Sequence, residues 1–322
     1  MPLFLPDADE IDIGAIRPAT GLRDSAPDLG DRALLNRRYE ADGYLFFRGL
    51  LPKDAVLAAR RDMMAPFLSQ GLIDEDCVWL GGDQAAPFGV ATFAGVWPRL
   101  FQRPGIREAL DRLLGEPAAT VPMVQYRAYP PGGAMGGVHQ DGFYSPGIKG
   151  YRPVWIPLIE MDQAMGGLAL ATGFTGRDYI HNVAKSPNSP IPAGVIPDGA
   201  WLRADYAPSD VLVIHPQTPH VGLPNRSRKV RFSIDTRVES AADPATLVGE
   251  LVNGSANAVT LRCGDGALRT LAIDDETFIR TGPKAGTRLS RSDYLELTPP
   301  GELILASKEG DRALMLRRAE AG

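Results

Sequence analysis

The chain has 322 residues, 44% of them hydrophobic and 23% charged, with a formal net charge of -5. That composition belongs to a globular protein with room for a sizeable core, and no apolar run is long enough to cross a bilayer. No block of like charge offers nucleic acid or an anionic membrane a footprint, which leaves a small molecule as the expected partner.

Only Cys77 and Cys263 occur, far apart, so neither a disulfide framework nor a thiolate metal site is expected. Any metal must be held by nitrogen and oxygen. The opening MPLFLPDADEIDIGAI has neither a basic n-region nor an apolar h-region, so the expectation is no secretory signal and a cytoplasmic location.

In chain order, ALLNRRYEADGYLFFRGLLPKDAVLAARRDMMAPFLSQGL reads as helix, strand, helix, with Pro52 and Asp54 marking the second helix's start. Residues 77–120 mix aromatics and glycines around a further helix, PGIREALDRLLG. From about residue 121 the pattern changes to short β-branched or aromatic runs between Gly and Pro clusters: MVQYRAY, VWIPLIEM, GGLALAT, VLVIH and VRFSIDTRV. That is the pattern of a sandwich or barrel, and without long helices between the runs a doubly wound sheet is not expected. NVAKSPNSPIPAGVIPDGAW, about residues 182–201, is too long for an ordinary connection and is a lid candidate. After residue 240, hairpins around Asp265-Gly266 and around Gly310 predict a small β-rich appendage or sheet extension over 241–322, behind a main domain over 1–240. The appendage is also a candidate dimerisation element, giving a homodimer.

There are four histidines, His139, His181, His215 and His220. In GVHQDGFYS, His139 and Asp141 share one face if the segment is extended, so both can meet one cation. A lone His-x-Asp arises easily by chance. The later stretch SDVLVIHPQTPHVGLPNRSRKVRFSIDTR, residues 209–237, supplies what a metal with an anionic co-substrate would need. His220 brings an imidazole, and Arg231 brings a planar guanidinium that can take a carboxylate bidentately. Two imidazoles and a carboxylate with three open positions suit a non-haem Fe(II) oxygenase.

These residues give the sequence a specific resemblance. VHQDGFY resembles the proximal His-Gln-Asp motif of the phytanoyl-CoA dioxygenase family of Fe(II)- and 2-oxoglutarate-dependent oxygenases. HVGLPNRSRKVRFS resembles its distal pattern of a ligand His, an Asn-x-Ser loop and an Arg eleven positions on. VWIPLIEMDQAMGGLAL and ADGYLFFRGLL follow the family in order, so the resemblance spans roughly residues 30–240. It departs at Phe174 and Thr175, where the family often has Ser-His, and at Gly222, where a Ser is common.

The resemblance implies a mainly β fold with flanking helices, a double-stranded β-helix of jelly-roll, cupin-like form. It implies His139, Asp141 and His220 as iron ligands, with His220 preferred over His215 because only its offset fits Arg231. It implies Arg231 as the anchor of the 2-oxoglutarate C5 carboxylate, with Ser233, Gln125 and Trp155 bordering the co-substrate. The activity implied is O2-dependent oxidation of an unactivated C-H bond of a small molecule in natural-product biosynthesis, by hydroxylation, desaturation or cyclisation. Halogenation is disfavoured because Asp141 is kept. His181 reads as a solvent-facing or substrate-contacting residue and Arg237 as a sheet-edge charge. Phe143, Tyr144, Trp79, Trp97 and Trp201 are pocket candidates. A non-oxidative cupin-type protein, binding a metal for structure, hydrolysis or isomerisation, stays open as the alternative.

Overall fold

The computed structural model describes residues 5, 7–82, 88–133, 136–145, 150–184, 189–280 and 290–319. The chain opens with β1 (Ala19–Thr20), α1 (Arg32–Asp42), β2 (Tyr44–Phe47), α2 (Lys53–Ser69), α3 (Val96–Phe101) and α4 (Pro104–Leu114). The expected helix, strand, helix opening is thus present. Asp31 caps α1 by accepting from the Leu34 amide, and Gly43, at φ 80, ends it.

The β-rich part follows: β3 (Ala118–Tyr129), the single turn α5 (Asp141–Tyr144), β4 (Tyr151–Pro157), β5 (Leu168–Ala171), β6 (Trp201–Arg203), β7 (Val211–Ile214), β8 (His220–Gly222) and β9 (Arg231–Ser240). Five strands pair in the order β2-β7-β4-β9-β3, and four in the order β1-β6-β5-β8. From β4 to β9 the chain passes from the larger sheet to the smaller and back twice, which is the winding of a double-stranded β-helix.

Alternation along β9 decides what each side of the larger sheet meets. Phe232, Ile234 and Val238 join the core formed with the N-terminal helices. Phe67 of α2, fully buried, packs edge-on against Phe232 at 5.4 Å between ring centroids. Burying such a side chain contributes roughly 1.5–3 kcal/mol. The intervening residues Arg231, Ser233, Asp235 and Arg237 turn to the opposite side, into a cavity between the sheets.

The remaining elements are β10 (Thr246–Gly254), β11 (Ala258–Cys263), β12 (Leu268–Ala272), β13 (Phe278–Arg280), α6 (Arg291–Leu297), β14 (Leu303–Glu309) and β15 (Arg312–Arg318). They form a six-stranded sheet, β12-β11-β10-β14-β15-β13, around a core of its own that includes Leu261, Ile279 and Leu316. Both expected hairpins are there: β11 pairs with β12 across the Asp265-Gly266 turn, and β14 with β15 across Gly310. Val121, Met123 and Tyr151 pack against Leu305 and Met315, joining this sheet to the five-stranded sheet.

Of the lid candidate, residues 185–188 lie outside the described residues. The described remainder is mixed: Ile191 and Ile196 are buried and Pro192 bridges to Glu10, while Val183, Ala193, Gly194 and residues 197–199 are exposed. No described helix is long and apolar enough to cross a membrane.

Candidate metal centre

His220 opens β8, and His139 pairs with it through reciprocal backbone hydrogen bonds: His139 donates to the His220 carbonyl at 3.1 Å, and His220 to that of His139 at 2.9 Å. The bridge sets the two imidazoles side by side, 4.3 Å between ring centroids. The stretch from His139 to Asp141 is not one continuous strand as expected, because Asp141 begins the turn α5. Gln140 is extended, at φ -118 and ψ 120, and that aims His139 and Asp141 the same way.

Gln140 points away from the centre and locks the motif in place. It is fully buried, donates from Nε2 to the Gln217 carbonyl at 2.6 Å and accepts from the Ile180 amide at 3.0 Å. One ligand atom from each of His139, Asp141 and His220 lies within 4.8 Å of the others. Asp141 Oδ1 is 3.5 Å from His139 Nε2 and 3.9 Å from His220 Nε2.

This donor set fits a divalent cation. Each Nδ1 meets a backbone carbonyl at 3.0 Å, Gly137 for His139 and Thr218 for His220, which favours the Nδ1-H tautomer and presents both Nε2 lone pairs inward. Burial pushes the His220 pKa down to about 4, so its imidazole is neutral at pH 7. Burial alone would raise the Asp141 carboxyl, but the Arg237 guanidinium beside it holds it well below the usual carboxylate range. Two lone pairs and a carboxylate facing one another repel until a cation sits between them.

The four residues expected to border the co-substrate, Arg231, Ser233, Gln125 and Trp155, line the same cavity of about 750 Å³ as these three. Arg231 is 3% exposed, and its Nη1 donates to the Leu223 carbonyl at 2.7 Å and to those of Met165 and Gly167 at 3.3 Å. The clamp depends on the Gly166-Gly167 turn, at φ 83 and 77: a Cβ on Gly166 would lie 2.8 Å from the Leu223 oxygen. The guanidinium also lies over the Tyr129 ring, 4.9 Å from its centroid. Burial lowers the Arg231 pKa to about 10, so the group stays cationic at pH 7. Gln125 accepts from Arg127, and Trp155 packs edge-on against Tyr206.

Several expectations are corrected. Arg237 is not a sheet-edge charge: β9 lies between β3 and β4, and the side chain, 10% exposed, reaches Asp141 Oδ2 at 3.2 Å. His181 does not face solvent. It is fully buried, stacks on Phe143 at 4.0 Å, accepts from the Gln140 amide at 3.1 Å and meets the Ser189 carbonyl through Nδ1 at 2.7 Å. His215 packs on Tyr39 and lies 3.6 Å from Glu40, apart from the ligand set. Among the five candidate aromatics only Tyr144 lines the cavity; Trp97 and Trp201 are core, Trp79 packs against it, and Phe143 backs His181.

Sequence reasoning missed the ion pair Arg127–Asp235, 2.7 Å from Nε to Oδ2, on the cavity wall. Burial would lower the Arg127 pKa, and Asp235 holds it above its ordinary value instead. Its signal was present. QYRAY and RFSIDTR carry polar residues at every second position, a period-2 polar stripe within strands whose other face is apolar.

The chain is 28% identical over 244 residues to 1-deoxypentalenic acid 11-beta-hydroxylase of Streptomyces exfoliatus, covering 68% of this chain and 85% of that one. It is 28% identical over 248 residues to the protein of the same name from Streptomyces arenae, with the same coverage. Among solved structures, EvdO2 from Micromonospora carbonacea var. aurantiaca, complexed with 2-oxoglutarate, is similar at 18% identity and a TM-score of 0.49, covering 71% of this chain and 97% of that one. The phytanoyl-CoA dioxygenase (PhyH) family matches residues 39–233, well over half the chain, and the protein therefore belongs to that family of 2-oxoglutarate-dependent non-haem iron oxygenases.

Proposed function

We propose that the protein hydroxylates an unactivated C-H bond of a compact, largely apolar natural product at an iron held by His139, Asp141 and His220, with Arg231 anchoring 2-oxoglutarate. The observation that carries this reading is the convergence of the three donors and the clamped cation of Arg231 on one cavity. Fe(II) bound there supplies the coupling of 2-oxoglutarate decarboxylation to C-H oxidation by O2. The chain's own residues do the rest. The two imidazoles and the Asp141 carboxylate provide three donors, and Gln140 and the backbone carbonyls fix their directions. Arg231, with Ser233 beside it on β9, offers a planar pair of donors to the far carboxylate of the co-substrate.

Aromatic groups, Phe88, Phe93, Tyr126 and Tyr144, border the cavity and suit an apolar skeleton. Hydroxylation is preferred over desaturation or cyclisation because the two Streptomyces relatives are named as hydroxylases. Their named substrate is a carboxylic acid, which supports a substrate of similar size and polarity here.

The test is anaerobic titration with Fe(II) and 2-oxoglutarate, following the visible charge-transfer band of the chelate in wild type and Arg231→Ala. A band in wild type and a co-substrate requirement raised at least about tenfold in the variant support the reading. No band in wild type rejects it and returns the cupin-type alternative.

The division at about residue 240 and a homodimer built on the C-terminal sheet belong to the same proposal, supported by that sheet's separate core and by Leu268 and Leu303 exposed on it. Sedimentation velocity giving a monomer rejects the dimer. A cytoplasmic location is supported by the two free cysteines, both buried.

A further inference from the structure

Arg237 is a buried arginine that the proposed chemistry does not require, and its surroundings are built for it. Along β9 it faces Val121 of β3, yet two residues earlier Asp235 faces Gln125, so four residues of β3 span what two of β9 cover. That irregularity falls at Pro122, which has no amide to give the ladder, on a strand at the edge of its sheet. The bulge frees the Met123 carbonyl, which accepts from Arg237 Nη1 at 2.9 Å. The second amino group donates to Asp141 Oδ2 at 3.2 Å.

The two carboxylate oxygens of Asp141 are thereby distinguished. Oδ1 faces the two histidine Nε2 atoms, and Oδ2 is turned to the guanidinium. Resting on the metal-centre reading above, we propose that Arg237 is a positioning residue that holds Asp141 as a one-oxygen ligand. A carboxylate free to rotate can chelate a divalent cation through both oxygens. Doing so would fill one of the three positions that 2-oxoglutarate and oxygen need. Arg237 opposes that second bond by occupying Oδ2 with a charge-assisted hydrogen bond and by drawing electron density from the carboxylate. The Met123 carbonyl fixes the guanidinium, so the bulge in β3 is part of the same device.

The experiment is anaerobic titration of the full-length protein with Co(II), then with 2-oxoglutarate, followed by visible absorption, in wild type, Arg237→Met and Arg237→Lys. Cobalt d-d bands report the number and kind of donors, which a loss of packing alone would not change in a folded protein. The expected result for Arg237→Met is Co(II) binding with altered d-d bands and a 2-oxoglutarate dissociation constant raised at least about tenfold. Arg237→Lys, which keeps the charge and can make one of the two hydrogen bonds, is expected to fall between. It decides the matter alone if the methionine variant does not fold. Wild-type bands and wild-type 2-oxoglutarate affinity in the folded variants would overturn the proposal. A wild-type protein that binds no Co(II) would overturn the metal-centre reading and this inference with it, so the two failures are told apart.

Discussion

His181 ties two segments together, and its protonation should loosen them at a predictable pH. Burial pushes its pKa from 6.5 down to about 4. It accepts from the Gln140 amide through Nε2 and meets the Ser189 carbonyl through Nδ1, so a proton added at Nε2 would set a donor against a donor. The folded-state pKa lies below the unfolded one, so the unfolded chain binds more protons between the two values. The stabilising contribution is therefore whole above pH 6.5 and is lost as the pH falls toward 4. At 1.36 kcal/mol per pH unit, the loss between pH 7.5 and pH 4.5 is about 2–3 kcal/mol. The assay is urea unfolding of metal-free wild type and His181→Gln at both pH values; glutamine offers an amide donor and acceptor but does not titrate. Wild type should lose about 2–3 kcal/mol more than the variant over that interval, His220 contributing equally to both. Equal losses would show that His181 is not held neutral by burial, and the reasoning would fail.

Other consequences can be measured on the same protein. Asp141→Ala should keep the far-UV circular dichroism of wild type while weakening Co(II) binding by more than about 100-fold, since it removes a ligand rather than an outer partner. Arg127→Met leaves Asp235 unmatched on the cavity wall. Because both partners are partly exposed, the loss should be about 1–2 kcal/mol, and Asp235→Asn added to it should recover part of that in a double-mutant cycle of urea unfolding. Phe67→Ala, at a fully buried position between Phe88 and Phe232, should cost about 3–5 kcal/mol in the same assay, with little effect on Co(II) affinity.

Those features recorded in local pattern were legible in the sequence. The winding of the β-helix follows from short strands punctuated by Gly and Pro, and α1 and α4 are bounded by glycines at φ 80 and 72. His139 and Asp141 were readable because an extended Gln140 sets their direction, and one residue's backbone is local information. Arg237 was misread because nothing in VRFSIDTRV says that β9 has a neighbour on each side; that depends on β3, more than a hundred positions earlier. His181 was misread for the same kind of reason. It sits beside a Pro- and Gly-rich stretch that suggests exposure, and its burial comes from Phe143 and Gln140, about forty positions away.

The arrangement of charge inside the cavity follows from the inverted pattern of β9. A strand of a sandwich ordinarily turns its apolar face to the space between the sheets. Here the apolar face meets the helices, and Arg231, Ser233, Asp235 and Arg237 take the interior. Charges so placed are costly to desolvate, and each is met locally. Asp141 takes Arg237, Asp235 takes Arg127, and backbone carbonyls clamp Arg231. The helices are therefore not an ornament on the β-helix. By burying Phe232, Ile234 and Val238 on the outer side, α2 and its neighbours allow the inner side to be polar, and a polar inner side is what a cation and a dianionic co-substrate require.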